Sequence, residues 1–130
     1  LPRAAAQRRK AKAAVIGYRK GLHNPTKVKT VIRHIVMWKL KETAEGASRA
    51  ENAVKMKAML EACRDIVPGI LSMDVGLAGE GLESNYDVVL VSDFADKAAL
   101  DAYQVHPTHE KLKVFVGAVR EARQCVDYFA

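Results

Sequence analysis

Residues 70–94 read ILSMDVGLAGEGLESNYDVVLVSDF, two strand-like runs with only a polar turn region between them. In the first, Leu71, Met73, Val75 and Leu77 alternate with Ser72, Asp74 and Gly76. That period of two belongs to an extended chain with one apolar face. The second run, YDVVLVSDF (86–94), carries apolar residues on both faces. The stretch AGEGLESN (78–85) has glycines but no helical period, so the two strands follow one another directly.

Outward from this pair the period changes on both sides. Upstream, VIRHIVMWKLK (31–41) is a strand rich in β-branched and aromatic residues. His34, Val36 and Trp38 share one of its faces, Ile35 and Met37 the other. In SRAENAVKMKAMLEACRDIVPG (48–69), Ala53, Met56, Leu60, Cys63 and Val67 step by three or four, one stripe of a helix. Ser48 with Glu51 forms a capping box, and Pro68-Gly69 supplies a stop. Downstream, ADKAALDAY (95–103) is helical in composition. Pro107 suits the first turn of a further helix with the stripe Leu112, Phe115, Val116 and Val119. RQCVDYF (123–129) closes as a strand.

The order is strand, helix, strand, strand, helix pair, strand. This predicts an α+β protein of ferredoxin-like β-α-β-β-α-β arrangement, with an antiparallel four-stranded sheet and a second helix broken in two. Helices can cover only one face of such a sheet, so apolar residues on the other call for another layer. A second copy, sheet against sheet, is the economical one. A homodimer through the sheet face, closing a dimeric α/β barrel, is therefore expected.

The chain has 130 residues, 49% of them hydrophobic, enough for one domain with its own core. Its net charge of +6 describes neither part of it. Residues 1–30 hold nine of the 21 Lys and Arg and no acid; residues 31–130 hold 12 against 15 Asp and Glu, a balance of −3. The expected division is a basic N-terminal extension over 1–30, mobile or a remnant of added sequence since it opens on Leu1, and a folded domain over 31–130. Lys and Arg neutralise phosphates of any sequence, so nucleic acid is expected as a partner only through that extension. No apolar run approaches the roughly 18 residues of a spanning helix, so no membrane partner is expected, and the location is expected to be cytoplasmic. Cys63 and Cys125 lack ligand-like spacing and are expected as buried thiols rather than a disulfide.

The chemistry concentrates in YQVHPTH (103–109), which holds two of the four histidines. Tyr103 would close the shorter helix. His106 is pushed by Pro107 towards an extended or capping conformation, and His109 falls in the first turn of the next helix. A turn there could bring Tyr103 and His109 together at the edge of a cavity. A neutral histidine accepts a proton near neutral pH, and a tyrosine can donate to a developing oxyanion. His34, mid-strand beside Val36 and Trp38, needs a partner or lines a pocket. The competing reading makes the segment a helix junction whose histidines satisfy backbone groups. Metal binding is a further competitor: His106 and His109 are three apart, but no carboxylate motif accompanies them, and Asp101 and Glu110 could contribute only if the fold cooperates. No phosphate loop, nucleophile elbow or CxxC occurs, and no cofactor or metal is expected.

The combination of IRHIVMWKLK (32–41), YDVVLVSDFADKAALDAYQVHPTHEKLKVFV (86–116) and CVDYF (125–129) resembles the stress-responsive α/β-barrel domain family, Dabb. The resemblance covers roughly residues 31–129 and leaves the basic extension outside. It implies a ferredoxin-like fold paired into a dimeric barrel and a stress-response setting. Many members have no assigned reaction, which leaves open whether this chain is an enzyme or binds a small hydrophobic ligand in a cavity without turnover. One plant member, olivetolic acid cyclase, cyclises a linear polyketide without metal or organic cofactor. By that resemblance Tyr103 and His109 would be the catalytic pair, with His34 and His106 in support. More distant α/β-barrel relatives keep a small monooxygenase on an aromatic or polyketide-like substrate as an alternative to a cyclase or lyase.

Overall fold

The computed structural model describes residues 28–130. The basic extension expected over 1–30 lies outside the described residues at all but its last three positions. Strand β1 (Ile32–Leu40) leads into a hairpin of two very short strands, β2 (Thr43–Ala44) and β3 (Ala47–Ser48). Then follow α1 (Arg49–Glu61), β4 (Ile70–Leu77), β5 (Val88–Phe94), α2 (Lys97–Val105), α3 (Pro107–Val119) and β6 (Arg120–Phe129). The main sheet has the order β4-β5-β1-β6 with every neighbour antiparallel. This is the ferredoxin-like α+β fold with its second helix broken, as the sequence predicts.

Local chemistry accounts for the boundaries. The Ser48 hydroxyl accepts from the Glu51 amide at 3.2 Å while the Glu51 carboxylate accepts from the Ser48 amide at 3.4 Å, starting α1 as expected. Past Glu61 the chain tightens into three-residue turns, with Cys63 N–H to Leu60 O at 2.9 Å and Ile66 N–H to Cys63 O at 3.4 Å. Cys63 therefore stays buried, and Val67, which lies beyond the helix, still packs half-buried against the core. Gly69 has φ +91°, and a Cβ there would stand 2.7 Å from the Ala99 Cβ, so only glycine lets the start of β4 meet α2.

Two sequence expectations are corrected and one element is added. A bulge between Ile70 and Ser72 turns Leu71 out of the β4 alternation, to 58% exposure. The β2–β3 hairpin, which turns on Glu45 (φ 52°) and Gly46 (φ 73°), has no counterpart in the sequence reading. Cys125 is exposed rather than buried, because the helices stop short of β6 and leave nearly all of that strand in contact with solvent.

One face of the sheet carries the core. His34, Val36 and Trp38 of β1, Leu90 and Phe94 of β5, and Met73 and Val75 of β4 meet Met56, Leu60, Tyr103, Leu112 and Val116 from the helices. Fully burying one such large apolar side chain contributes roughly 1.5–3 kcal/mol. On the other face Ile35, Met37, Val89, Val91 and Val126 form an apolar band with no layer over it in the described chain. The Arg33 guanidinium, bidentate on Asp93 at 2.9 and 3.1 Å, borders that band and holds the Asp93 carboxyl below the usual carboxylate range.

Candidate functional site

Two caps set the starts of α2 and α3, and the second makes the break between them. Asp96 accepts from the Ala99 amide at 2.9 Å and starts α2. His106, extended at φ −63° and ψ 138° ahead of Pro107, accepts from the Thr108 amide on Nδ1 at 3.1 Å and starts α3. The side chain of His106 is thereby committed to the junction and does not line the cavity described below.

The break folds the end of α2 against the first turn of α3. Tyr103 and His109 are in ring contact, with centroids 4.5 Å apart and planes at 51°. Tyr103 is fully buried, with Phe94 against its ring at 5.1 Å. Its hydroxyl has no hydrogen-bond partner among the described residues. Burial, with the Cys63 thiol nearby, pushes the phenol well above its ordinary value, so it remains a donor at neutral pH. His109 Nδ1 lies 3.1 Å from the Gln104 carbonyl oxygen. A carbonyl can only accept, so Nδ1 carries the hydrogen and Nε2 holds the lone pair of the neutral ring. Burial keeps His109 below the ordinary histidine value against the opposing pull of that carbonyl, and Lys113 acts in the same direction as burial.

His34 reaches the same space from β1. It is 5% exposed and edge-on to Phe94 at 6.2 Å. The register sets it opposite Asp127 on β6, with Nδ1 2.5 Å from Oδ1. A carboxylate anchoring one imidazole nitrogen fixes the ring and leaves the other nitrogen for chemistry. Sequence reasoning missed Asp127. The signal was the pairing of first and last strands that the ferredoxin-like order dictates, but the register needed to match 34 with 127 was not legible.

His34, Tyr103 and His109 line a cavity of about 490 Å³ between the sheet and the helix pair. Its apolar wall includes Val36, Trp38, Leu60, Leu90 and Leu112, and its exposed rim carries Lys113, Gly117, Arg120 and Arg123. The residues weighed as metal ligands point elsewhere: Asp101 holds Lys97 at 2.9 Å and Glu110 holds Lys113 at 3.2 Å. Among the described residues no three His, Cys, Asp or Glu side chains gather as a ligand set. No described helix is long and apolar enough to cross a membrane.

Fold and cavity define a ferredoxin-like α+β domain with an aromatic and histidine-lined pocket beside a broken helix. The family model that matches is the stress responsive A/B barrel domain, over residues 32–130, and the chain belongs to that family, Dabb. It is similar to a dimeric ferredoxin-like protein of unknown function from Bacteroides fragilis, at 28% identity and TM-score 0.63, covering 77% of this chain and 96% of that one. A dimeric ferredoxin-like protein of unknown function from Jannaschia follows at 27% identity and TM-score 0.61, covering 77% and 99%. The hydroxynitrile lyase of Passiflora edulis shares the fold at 19% identity and TM-score 0.63, covering 79% and 95%. No curated protein sequence matches the chain.

Proposed function

We propose that this chain is a homodimeric, cofactor-independent proton-transfer enzyme of the lyase or cyclase class, acting on a small carbonyl compound in the cavity of each protomer. The observation that carries the reading is the juxtaposition of a buried, unpartnered Tyr103 hydroxyl with a neutral His109 whose Nδ1–H is already committed to Gln104. A purely structural junction gains nothing from an unsatisfied buried hydroxyl, which carries a desolvation penalty of about 1–3 kcal/mol. In a site it is a donor waiting for an acceptor.

In this reading His109 Nε2 takes a proton from the carbon beside the substrate carbonyl. The electron pair of the broken C–H bond passes into an enolate, and the Tyr103 hydroxyl donates to its oxygen. The enolate carbon then attacks a second carbonyl of the same molecule, or the enolate collapses and expels a leaving group. The imidazolium returns its proton to the resulting alkoxide or leaving group. His34, anchored by Asp127, faces the same space as a second acid–base group. His106 supports the pair by holding the break.

The dimer reading rests on the uncovered band of Ile35, Met37, Val89, Val91 and Val126, and on the dimeric state of the Bacteroides and Jannaschia proteins. A stress-response setting belongs to the same proposal and rests on the family's description, and a cytoplasmic location is proposed with it.

The test is deuterium exchange into a panel of 1,3-dicarbonyl and β-keto compounds in D2O, followed by NMR. Wild type is expected to catalyse exchange at the acidic carbon, and His109→Ala and Tyr103→Phe to lower it by about 10²-fold or more. Exchange unaffected by either substitution overturns the assignment of the pair. Binding without exchange across the panel replaces the enzyme with a ligand-binding module. Oxygen uptake in place of exchange moves the reaction to a monooxygenase.

A further inference from the structure

The rim of the cavity carries a pattern that proton transfer does not use. Lys113, Arg120 and Arg123 line it, and no Asp or Glu does so among the described residues. Lys113 is engaged by Glu110 at 3.2 Å, whereas Arg120 and Arg123 make no ion pair among the described residues. Glu121 sits between the two arginines in sequence, but its carboxylate reaches Lys39 at 3.9 Å and does not line the cavity. Trp38, opposite Arg123 in the β1–β6 register, lies buried in the apolar wall of the cavity. The guanidinium and ammonium groups of the rim can donate and cannot accept. Their complement is an acceptor-rich anion.

The strands and α3 set this rim at a fixed distance from the histidines. His34 and Asp127 pair four residues along the ladder from Trp38 and Arg123, which at about 3.3 Å per residue is roughly 13 Å. On α3, Gly117 lies eight residues from His109, roughly 12 Å at 1.5 Å per residue. Two independent elements thus give the same span, walled by Val36, Leu90, Leu112 and Val116. Gly117 leaves open space where a Cβ would stand, at a cost of about 1 kcal/mol in a helix interior relative to Ala.

We propose that the cavity selects amphipathic carboxylates: molecules with an apolar body alongside the sheet and a carboxylate held at the rim by Arg123, whose rung lies roughly 13 Å from the His34–Asp127 pair, with Arg120 further out along the same ladder. The carboxylate fixes which carbon of the body reaches the histidines. This deepens the enzyme reading above and rests on its cavity, but it concerns recognition rather than reaction.

The chain's single tryptophan, Trp38, reports on occupancy through its own fluorescence. Full-length protein is titrated with decanoate, hexanoate and 1-decanol at low and high salt. Decanoate is expected to bind about 10-fold or more tighter than 1-decanol, and tighter than hexanoate, with the preference over the alcohol shrinking as salt rises. In the double variant Arg120→Ala/Arg123→Ala the acid and the alcohol are expected to bind alike. Both arginines are exposed, and circular dichroism verifies that the variant folds. Equal affinity of acid and alcohol for wild type overturns the inference and leaves the cavity as a ligand site. A preference that survives the double variant or high salt overturns it too. Failure of all three probes to perturb Trp38 removes both this inference and the cavity reading beneath it.

Discussion

Asp127, near the end of the last strand, accepts from His34 Nδ1 in the middle of the first, across 2.5 Å and 93 positions of sequence. The contact is made by register: β1 and β6 are antiparallel neighbours, and residues 34 and 127 are direct partners. It turns a nearly buried strand histidine into an oriented ring beside the cavity. Asp127→Asn keeps an acceptor at the same place and removes the charge. If His34 acts through this pair, turnover is expected to fall about 10²-fold, within the usual range for an acid–base group. Stability should change by no more than about 1 kcal/mol, since the Asp127 side chain is 40% exposed and screened by water. Rate and melting curves on the same preparation separate the two effects; a loss of stability with unchanged rate makes the pair structural.

Tyr103→Phe is expected to part activity from stability in the opposite sense. The hydroxyl is buried without a partner among the described residues, so its removal relieves a desolvation penalty of about 1–3 kcal/mol and deletes no protein hydrogen bond. The phenyl ring keeps its packing against Phe94 and His109. The variant should unfold at the same or a higher denaturant concentration, while exchange falls by about 10²-fold or more. A destabilised Phe variant would mean that the hydroxyl is satisfied within the fold and is not free for substrate.

How much of this was legible in the sequence follows the range of the interactions. The α2–α3 break depends on His106 and Pro107, neighbours whose chemistry is local, and it reads directly from the string. The pairing of Tyr103 with His109 spans six positions and follows from that break. Asp127 did not stand out, because one acid in CVDYF carries no mark of its partner until the ladder register is known. The arginines of the rim were hidden for the same reason, within a chain whose positive charge is concentrated elsewhere. Cys125 was misread because alternation cannot tell a covered strand from an edge strand that the helices miss. Leu71 was misread because a bulge breaks alternation without changing composition.

The pH dependence of the reaction follows from two shifts of opposite sign. Burial depresses His109, so the neutral base forms below the ordinary histidine value of 6.5, and the acid limb of the rate profile should lie below that pH. Burial raises Tyr103 well above 10.0, so the donor persists and the alkaline limb should lie beyond that pH. Between these limits the rate contributed by the pair should be flat. Stability has a matching sign at the acid end. With the folded-state value of His109 below its unfolded value, its contribution is complete above about pH 6.5 and is lost as pH falls towards the folded value. Exchange rates and denaturant melts from pH 4 to 10 measure both. An acid limb centred above 6.5 would assign the base to another group.

The uncovered sheet face supplies the last prediction. Ile35 and Val91 are cross-strand partners at its centre, with Met37, Val89 and Val126 around them. In a two-fold dimer each residue of such a patch meets its own symmetry-related surface, so one substitution acts twice. Val91→Asp places a carboxylate in that apolar band on both copies, and Asp74, its neighbour across the β4–β5 ladder, adds like charge. Burying unpaired carboxylates is costly, and the variant is expected to sediment as a monomer at concentrations where wild type is a dimer. Val91→Ile, which keeps the band apolar, should remain dimeric. Because the cavity lies on the opposite face, between sheet and helices, Trp38 should still report decanoate binding in a folded monomer. Loss of binding together with the dimer would mean that the partner copy completes the cavity, and an unchanged sedimentation coefficient would remove the sheet face as the interface.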